Sequence, residues 1–447
     1  MDGAAMNNSF LTGPIAAAPS FTIAAPHGMP GHIGRLSRSS PRKIKVLLYS
    51  HDTFGLGHLR RNLAIADRLL AQQNQFSVRL LTGSPVISTW SLPRGLQVHP
   101  MPPVVKDGAE RYRSRDPRSM FALTKGYREA LIVKSVLNYR PDIVLVDHAP
   151  AGMNGELLAA LSLIRRELPG TRTILGLRDI LDAPHIVKAV WAEQEIPTLL
   201  DQAYDEIFVY GSQALFDVSA GYGLTGRIAD AVRYCGHVVA APDAPCRTIK
   251  ASAADRCWSA ERAAGRKVVL VTAGGGGDGF FLMDAYLQAL SQLPLRSFYS
   301  AIVTGPLMDA EHKAALRAAA ENHPDIELID HTTNLMPSLR AADLVVAMAG
   351  YNTSAEIIAT RTRAILVPRA APRAEQLIRA SLLAGLGVVD MIVPGPDLAD
   401  NLARALPKNL TTPPPDPSLW ASLDLNGAER VAAHLTAMIP SLLGRTL

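Results

Sequence analysis

Residues 344–357 read Leu-Val-Val-Ala-Met-Ala-Gly-Tyr-Asn-Thr-Ser-Ala-Glu-Ile. The first four are apolar and include two valines, which is typical of a buried β-strand. Gly350 marks a tight turn, and Asn352 or Thr353 is of the type that caps a helix. We expect Glu356 on the first turn of that helix. A buried strand that passes through a glycine turn into a helix is the repeating unit of a parallel α/β sheet.

The same unit recurs on both sides of this stretch, because apolar strand-like runs alternate with segments of helical periodicity. In the second half of the chain the predicted strands are Val268–Thr272, Tyr299–Val303, Ile326–Leu328, Leu344–Ala347, Ala364–Val367 and Val388–Asp390. In the first half they are Lys43–Tyr49, Ser77–Leu81, Ile143–Val146, Thr173–Leu177 and Glu206–Tyr210. Helices are predicted over His58–Gln72, Gly155–Glu167 and Ile186–Leu200.

Two proline-containing stretches, Val238–Ile249 and Thr411–Pro417, divide the chain. Each of the two series between them is expected to form a doubly wound, mainly parallel sheet. Ligands bind such sheets at the carboxyl ends of the strands, and a cleft between two domains is the default binding site. The expected segments are a flexible tail over residues 1–42, α/β domains over 43–240 and 241–415, and a helical segment over 416–447.

The composition fits a large folded protein. Hydrophobic residues make up 48% of the 447 residues and charged residues 19%, which excludes an intrinsically disordered chain. The net charge of +5 is small for this length, and no basic module interleaved with aromatic residues occurs, so we expect no nucleic-acid partner. Cys235, Cys246 and Cys257 form no CxxC pair, which favours reduced thiols in a cytoplasmic protein over a zinc site. No apolar run is long enough to predict a membrane span.

A glycine-containing loop follows the first predicted strand and reads His-Asp-Thr-Phe-Gly-Leu-Gly-His-Leu-Arg-Arg-Asn over residues 51–62. Gly55 and Gly57 allow a ligand to approach the backbone closely at the amino terminus of a helix. Arg60 stands where a GxGxxG fingerprint needs its third glycine, so an NAD site is not expected. His58 is placed to accept a proton from a hydroxyl group, although a single histidine is often purely structural.

Four consecutive glycines, Gly274–Gly277, follow the first strand of the second series. Their backbone amides can wrap around a phosphate group. Phe280 and Phe281 follow the last glycine of this loop, where a Walker loop requires Lys and then Ser or Thr, so a P-loop ATPase is not expected. A glycine run alone is equally compatible with a flexible turn.

Two further loops carry polar residues at the same predicted sheet edge. Glu356 can accept hydrogen bonds from both hydroxyls of a ribose, unless it only forms a capping box with Thr353. The loop over residues 367–376 reads Val-Pro-Arg-Ala-Ala-Pro-Arg-Ala-Glu-Gln, and its polar side chains can reach phosphate or sugar hydroxyls. Those side chains include Arg369, Arg373 and Gln376.

The order of these motifs resembles the MurG-like glycosyltransferases of family 28. The matching features are Gly-x-Gly-His near the start, a glycine-rich loop after the linker, Ala-Gly-x-x-Thr-x-x-Glu, and Pro-x-x-x-x-x-x-Glu-Gln. The resemblance covers roughly residues 43–406 and implies the GT-B fold, in which two Rossmann-like domains face each other across a cleft. It also implies a nucleotide-sugar donor, UDP-linked, and transfer of its sugar to a hydroxyl acceptor with inversion.

The resemblance assigns roles to individual residues: Glu356 to the ribose, the glycine run to the diphosphate, and Glu375 with Gln376 to the donor sugar. The implied donor-binding residues are Gly274, Gly275, Gly276, Gly277, Gly350, Asn352, Thr353, Glu356, Arg369, Glu375 and Gln376. The implied acceptor and phosphate loop contains Gly55, Gly57, Arg60 and Asn62. The candidate base in that loop is His58.

The sequence departs from the family pattern in two loops. The usual Gly-Gly-Ser-Gln-Gly-Ala is replaced by Gly-Gly-Gly-Gly-Asp-Gly over residues 274–279, so the Ser and Gln side chains are absent. The amino-terminal loop also lacks the fully glycine-rich form. We therefore expect an acceptor other than the lipid-linked muramyl peptide of MurG.

Sugar transfer needs a base for the attacking hydroxyl and positive potential for the leaving diphosphate. His58 is the first choice of base. Asp147 and His148, at the end of a predicted strand, are the second choice, and a buried helix cap is the alternative role for them. No DxD-like pair follows a strand, so we expect neither a metal nor a cofactor besides the nucleotide-sugar substrate.

Two other classes of protein remain open. A nucleotide-sugar 2-epimerase of the same fold would alter a UDP-sugar without any acceptor. A non-catalytic nucleotide-sugar-binding protein would have no need of His58 at the cleft.

A basic cluster lies beside an apolar segment. The basic residues are Arg111, Arg113, Arg115, Arg118, Lys125, Arg128 and Lys134. The apolar residues just upstream are Trp90, Leu92, Leu96, Val98, Met101, Val104 and Val105. Such a combination is typical of peripheral contact with anionic lipid, and a solvated helix face is the alternative. It suggests work at the inner membrane face on a lipid-linked or otherwise anionic acceptor.

Overall fold

The computed structural model describes residues 42–52, 57–72, 75–106, 112–116, 118–239, 258, 261–262, 264–293, 298–321, 323–332, 334–369 and 371–444. Several residues singled out in the sequence lie outside this part of the chain. They are almost all of the tail, most of the linker, Gly55, Arg111, Cys246 and Cys257.

The first domain is a parallel sheet covered by helices. Its strands are β1 (Ile44–Ser50), β2 (Phe76–Thr82), β3 (Gln97–Pro100), β4 (Val104–Lys106), β5 (Tyr112–Ser114), β6 (Ile143–Asp147), β7 (Arg172–Arg178), β8 (Glu206–Tyr210) and β9 (Val232–Tyr234). Its helices are α1 (Gly57–Leu70), α2 (Phe121–Tyr139), α3 (Leu158–Glu167), α4 (Pro184–Glu193), α5 (Ile196–Ala203), α6 (Val218–Tyr222) and α7 (Gly226–Asp230). The sheet order is β3-β2-β1-β6-β7-β8-β9, and β4 and β5 form a separate antiparallel pair.

The second domain repeats this plan. Its strands are β10 (Lys267–Thr272), β11 (Phe298–Val303), β12 (Ile326–Ile329), β13 (Leu344–Ala347), β14 (Ala364–Leu366) and β15 (Asp390–Met391). Its helices are α8 (Phe280–Ser291), α9 (Ala310–Ala320), α10 (Met336–Ala341), α11 (Tyr351–Thr360), α12 (Glu375–Gly385) and α13 (Leu398–Thr411). All pairings are parallel, in the order β12-β11-β10-β13-β14-β15.

The strand order of each sheet reverses direction at one place, which is where doubly wound sheets bind ligands. In the first sheet the switch lies between β1 and β6, and in the second between β10 and β13. The described residues that end or follow these four strands are His51 and Asp52 with the start of α1 at Gly57, Asp147 with His148, the glycine run, and the motif around Gly350. The topology thus brings the predicted motifs to the functional edge of each sheet.

The last helices return to the first domain. They are α14 (Gly427–Ala437) and α15 (Ile439–Leu443). Val431 and Leu435 of α14 are buried in the same core as Leu59 and Leu69 of α1. The carboxyl-terminal helical segment therefore packs on the domain with which the chain begins.

Three local expectations were wrong. The helix expected over Ile186–Leu200 is two helices, because Glu195 takes a left-handed φ of 52° that interrupts the helix. The strand expected over Val388–Asp390 begins only at Asp390, although Val388 and Val389 before it are buried. Neither Asn352 nor Thr353 caps a helix, since Gly350 is the N-cap of α11 and has no capping side chain.

Candidate active site

A cleft of about 450 Å³ lies between the two domains, within the usual size range of ligand sites. Its walls include residues that follow β1, β10 and β13, and Arg178 at the end of β7. The expected site residues that line it are Gly57, His58, Arg60, Gly274, Gly275, Gly350, Asn352, Thr353, Glu356 and Gln376. Those that do not line it are Asn62, Asp147, His148, Gly276, Gly277, Arg369 and Glu375.

Gly57 of the first domain lies against Asn352 of the second. A Cβ atom at Gly57 would lie 2.8 Å from Nδ2 of Asn352, so no larger residue fits without displacing that amide. In the second domain Gly276 has a φ of 87°, and its Cβ would lie 1.9 Å from the carbonyl oxygen of Thr304. The backbone conformation and the close packing of this loop therefore both require glycine.

His58 and Asp147 form a hydrogen-bonded pair at the edge of the cleft. Nδ1 of His58 lies 2.5 Å from Oδ2 of Asp147, whose Oδ1 accepts hydrogen bonds of 3.0 and 2.6 Å from Arg61. Burial raises the pKa of Asp147, but Arg61 and His58 outweigh it and lower this pKa to about 2. The carboxylate is thus ionised near neutral pH. Nη2 of Arg61 also lies 3.1 Å from this Nδ1, but the carboxylate of Asp147 is the nearer partner. An ionised carboxylate at Nδ1 favours the tautomer that leaves Nε2 free to accept a proton.

The second-choice bases take other roles. Asp147 bonds to side chains, so among the described residues it acts as a partner of His58 and not as a helix cap. His148 lies beside it with a left-handed φ of 71°, and its ring centroid is 5.1 Å from that of His58. Burial and the nearby Arg178 lower the pKa of His148 well below its usual value, so this imidazole is neutral at pH 7.

Glu356 has one oxygen bound and one without a partner. Its side chain is buried on the second turn of α11, where Oε1 accepts a hydrogen bond from Nη2 of Arg60. Oε2 has no hydrogen-bond partner among the described residues. Burial raises the pKa of Glu356, and Arg60 opposes that rise. The capping-box interpretation is wrong, because Glu356 lies beyond the first turn of the helix.

Glu375 shows the same arrangement. It is buried, its Oε1 accepts a hydrogen bond of 2.7 Å from Arg369, and its Oε2 has no partner among the described residues. Arg369 also donates a hydrogen bond of 3.0 Å to Asp278 of the glycine loop. Arg369 therefore links this loop to Glu375 at the start of α12, and neither Arg369 nor Glu375 lines the cleft. Gln376, the next residue along, does line the cleft.

Sequence reasoning missed four charged residues. Arg61 holds Asp147, and Arg178 lines the cleft. Arg379 of the second domain makes two hydrogen bonds to Asp179 of the first, at 2.8 and 2.6 Å, and both side chains are 1% exposed. The available signal was a charged residue on the apolar face of a helix, as Arg379 is beside Ala380 and Leu383.

The described residues contain neither a metal-binding group of side chains nor a membrane-spanning helix. Among them, no three or more His, Cys, Asp or Glu side chains are grouped so as to hold a metal ion. No helix in this part of the chain is long and apolar enough to cross a membrane.

Solved structures with a similar architecture show the fold of the chain. MurG of Acinetobacter baumannii is 13% identical, covers 89% of this chain and 100% of its own, and has a TM-score of 0.54. UGT2 of Phytolacca americana, solved with UDP-2-fluoro-glucose and pterostilbene, is 14% identical. The match covers 89% of this chain and 99% of UGT2, with a TM-score of 0.58. A protein of Listeria monocytogenes described as a putative UDP-N-acetylglucosamine 2-epimerase is 14% identical. The match covers 91% of this chain and 98% of that protein, with a TM-score of 0.57. The chain therefore has the GT-B fold, as expected.

The family of the second domain follows from its sequence. Residues 268–413 match the glycosyltransferase family 28 C-terminal domain, which confirms the resemblance for the second domain. No curated protein matches the sequence. The family 28 domain supports glycosyl transfer from a nucleotide sugar as the activity.

Proposed function

We propose that this protein transfers a sugar from a UDP-linked donor to a hydroxyl acceptor, with inversion and without a metal ion. The observation that carries the proposal is the His58–Asp147 pair at a cleft whose other wall contains Glu356. One domain supplies a base, and the other supplies buried acceptor atoms for the hydroxyls of a nucleotide sugar.

The second domain offers a place for each part of the donor. Oε2 of Glu356 would accept hydrogen bonds from the ribose hydroxyls, while Arg60 fixes the orientation of the carboxylate. Gly274 and Gly275 border the cleft next to the uncapped amino terminus of α11, and both are suited to a diphosphate. The amide of Gln376, which lines the cleft, would bind the sugar, while Glu375 beside it lies outside the lining.

The first domain supplies the base. Nε2 of His58 would take the proton of the acceptor hydroxyl as its oxygen attacks the anomeric carbon, and Asp147 would stabilise the imidazolium that forms. The base and the diphosphate site belong to opposite walls. A single displacement across the sugar between them inverts the anomeric configuration.

The membrane part of the hypothesis needs a different surface from the one expected. Met101 and Val104 are buried in the first domain. Arg128 is also buried, and its guanidinium makes two hydrogen bonds of 2.6 Å to Glu156. Lys125 is neutralised by Glu129 at 2.5 Å. Met101, Val104 and Arg128 are therefore unavailable to a membrane, whereas Lys125 stays partly exposed within its ion pair.

An exposed apolar strip runs along α2 instead. Met120, Leu123, Tyr127 and Leu137 are 69%, 70%, 59% and 45% exposed, and the last three share a helical face with the exposed Lys134. Arg113 and Arg115 are exposed on the segment before the helix, as is Arg118, which pairs with the exposed Asp116 at 3.1 Å. We propose that this strip, from Met120 to Leu137 with its basic neighbours, holds the enzyme on anionic lipid at the cytoplasmic face of the membrane, where a lipid-linked or otherwise anionic acceptor is found.

A thermal-shift screen of nucleotide sugars tests the proposed function. A donor present at 100 times its dissociation constant should stabilise the protein by about 2.7 kcal/mol. The same donor is then incubated with the enzyme alone. An unchanged sugar supports transferase activity, whereas a new epimer without any acceptor would favour the 2-epimerase. No stabilisation by any nucleotide sugar would contradict both.

A further inference from the structure

The arginines that line the cleft differ in whether their charge is neutralised. Arg60 pairs with Glu356, and Arg61 pairs with Asp147. Arg178 forms no ion pair with an acidic side chain in the described part of the chain. Its Nε is fully buried and has no hydrogen-bond partner among the described residues. The charge of Glu375 offsets that of Arg178 only in part and without a direct ion pair, so Arg178 brings a cation without an ionic partner among the described residues to the cleft.

The position of Arg178 is fixed by both domains. It is the last residue of β7, whose backbone pairs with β8 in the buried sheet. The next residue, Asp179, is bound by Arg379 of the second domain through two hydrogen bonds. Because its neighbour is anchored in this way, the backbone of Arg178 cannot move away from the second domain without breaking that ion pair.

The opposite wall has a cradle for an anion, and none of the described residues that line it is a lysine or an arginine. Gly274, Gly275 and Gly350 line the same cleft as Arg178. The helix that begins after Gly350 has neither a capping side chain nor an acidic residue in its first turn, so its positive end is open. The glycine loop carries no Lys or Arg, and the only charged side chain within it is Asp278.

The electrostatics of Arg178 agree with this arrangement. Burial lowers the pKa of Arg178 to about 10. The negative charge of Glu375 opposes this decrease, and the positive charges of Arg379, Arg61 and Arg373 add to it. The guanidinium is still charged at neutral pH, but its surroundings disfavour that charge. A bound anion would restore the balance.

We propose that the guanidinium of Arg178 binds the diphosphate of the donor and neutralises the charge that develops as the nucleoside diphosphate leaves. This inference rests on the proposed function. The acceptor oxygen forms a bond to the anomeric carbon, and its proton passes to Nε2 of His58. The bond from the anomeric carbon to the β-phosphate oxygen breaks, and its electron pair stays on that oxygen beside Arg178. Arg178 is then a catalytic residue contributed by the first domain to the leaving group held by the second.

The test compares the affinities of uridine, UMP and UDP for the full-length protein by calorimetry. In Arg178→Met the affinity for UDP should fall about 10- to 100-fold, the usual effect of losing a charged hydrogen bond. The affinity for uridine should stay within about twofold, since uridine has no phosphate. Arg178→Lys should restore part of the UDP affinity. Arg172→Met, at the other end of β7 where Arg172 pairs with Asp205, is the matched control and should bind all three ligands like the wild type.

The outcomes separate this proposal from the proposed function. If wild type and Arg178→Met bind UDP equally, the role of Arg178 is refuted while the donor site stands. An equal loss of uridine and UDP affinity would also refute it, because Arg178 would then only support the fold of the site. If the wild type binds none of the uridine, adenosine, guanosine and thymidine diphosphates, both proposals fail.

Discussion

The hydrogen bond between His58 and Asp147 is the residue-level feature on which catalysis would depend. His58→Ala should lower turnover by roughly 10²- to 10⁴-fold, the usual contribution of a positioned base. Donor affinity should change little, because the donor contacts lie mainly on the second domain. The measurement is the rate of UDP release with a donor and an acceptor present.

His185→Ala serves as the control for this prediction, because His185 is exposed on α4. Asp147→Asn should reproduce much of the loss, since the amide cannot stabilise an imidazolium. Near-normal turnover of His58→Ala would show that the base lies elsewhere.

Glu356 is the residue that we propose to bind the ribose through its unpartnered oxygen. Glu356→Gln should weaken UDP binding by about 1.5–3 kcal/mol, the effect of losing a charged acceptor. Calorimetry with UDP and uridine checks this, and both affinities should fall together because both ligands contain the ribose. The exposed Glu321→Gln is a control. Unchanged affinity in a folded Glu356→Gln protein would restrict Glu356 to its ion pair with Arg60.

His148 should make the protein sensitive to mild acid. Burial and Arg178 lower its pKa in the folded state, so below about pH 6.5 the unfolded chain takes up a proton that the folded chain refuses. Stability should therefore fall as the pH drops from 6.5 to 5. Asn tolerates a left-handed φ and does not titrate, so His148→Asn should lose less stability over this range, whereas His185→Asn should behave like the wild type. Urea unfolding at pH 5, 6 and 7 measures this, and equal losses in all three proteins would contradict it.

At the level of elements, the Asp179–Arg379 ion pair joins β7 to α12 across the two domains. Arg379→Met leaves a buried carboxylate without its partner, which typically costs about 3–5 kcal/mol. The double variant Asp179→Asn/Arg379→Met leaves no buried charge and should lose less. Arg166→Met, which breaks an exposed pair with Glu167, is the control and should have no measurable effect. The measurement is the urea concentration at the unfolding midpoint of the wild type and the three variants. A midpoint of Arg379→Met equal to that of the wild type would show that this pair does not hold the domains together.

The sequence predicts most elements because buried strands are continuous apolar runs. Glu206–Tyr210 and Leu344–Ala347 have the expected bounds for this reason. The sequence does not predict the interruption of the helix at Glu195, because the composition of a periodic apolar stretch does not indicate that one of its residues has a left-handed φ.

Charged residues were predicted less well than strands. Arg128 reads as a member of a basic surface cluster, yet its partner Glu156 is 28 positions away and becomes a neighbour only on folding. Arg61, Arg178 and Arg379 were missed for the same reason. The glycine loops were found because their chemistry is local, whereas the ion pairs that position them connect distant parts of the chain.

At the scale of the whole molecule, the exposed strip of α2 predicts reversible binding to anionic membranes. Each basic residue near such a surface contributes about 1 kcal/mol, so binding should weaken with salt. Co-sedimentation with anionic and neutral vesicles at low and high salt measures this. Leu123→Ser/Tyr127→Ser should reduce binding, and Val393→Ser, which changes an exposed apolar residue of the second domain, should not. Absence of binding to anionic vesicles at low salt would refute the membrane proposal.

The central claim is transfer of a sugar from a nucleotide donor, with His58 as the base. The most direct measurement is UDP release from a panel of UDP-sugars, with a lipid extract and a soluble cell extract as separate sources of acceptor. We expect one donor to release UDP only when an acceptor source is present, and His58→Ala to do so roughly 10²- to 10⁴-fold more slowly than the wild type. UDP release that does not depend on an acceptor or on His58, or conversion of the donor to its epimer, would contradict the claim.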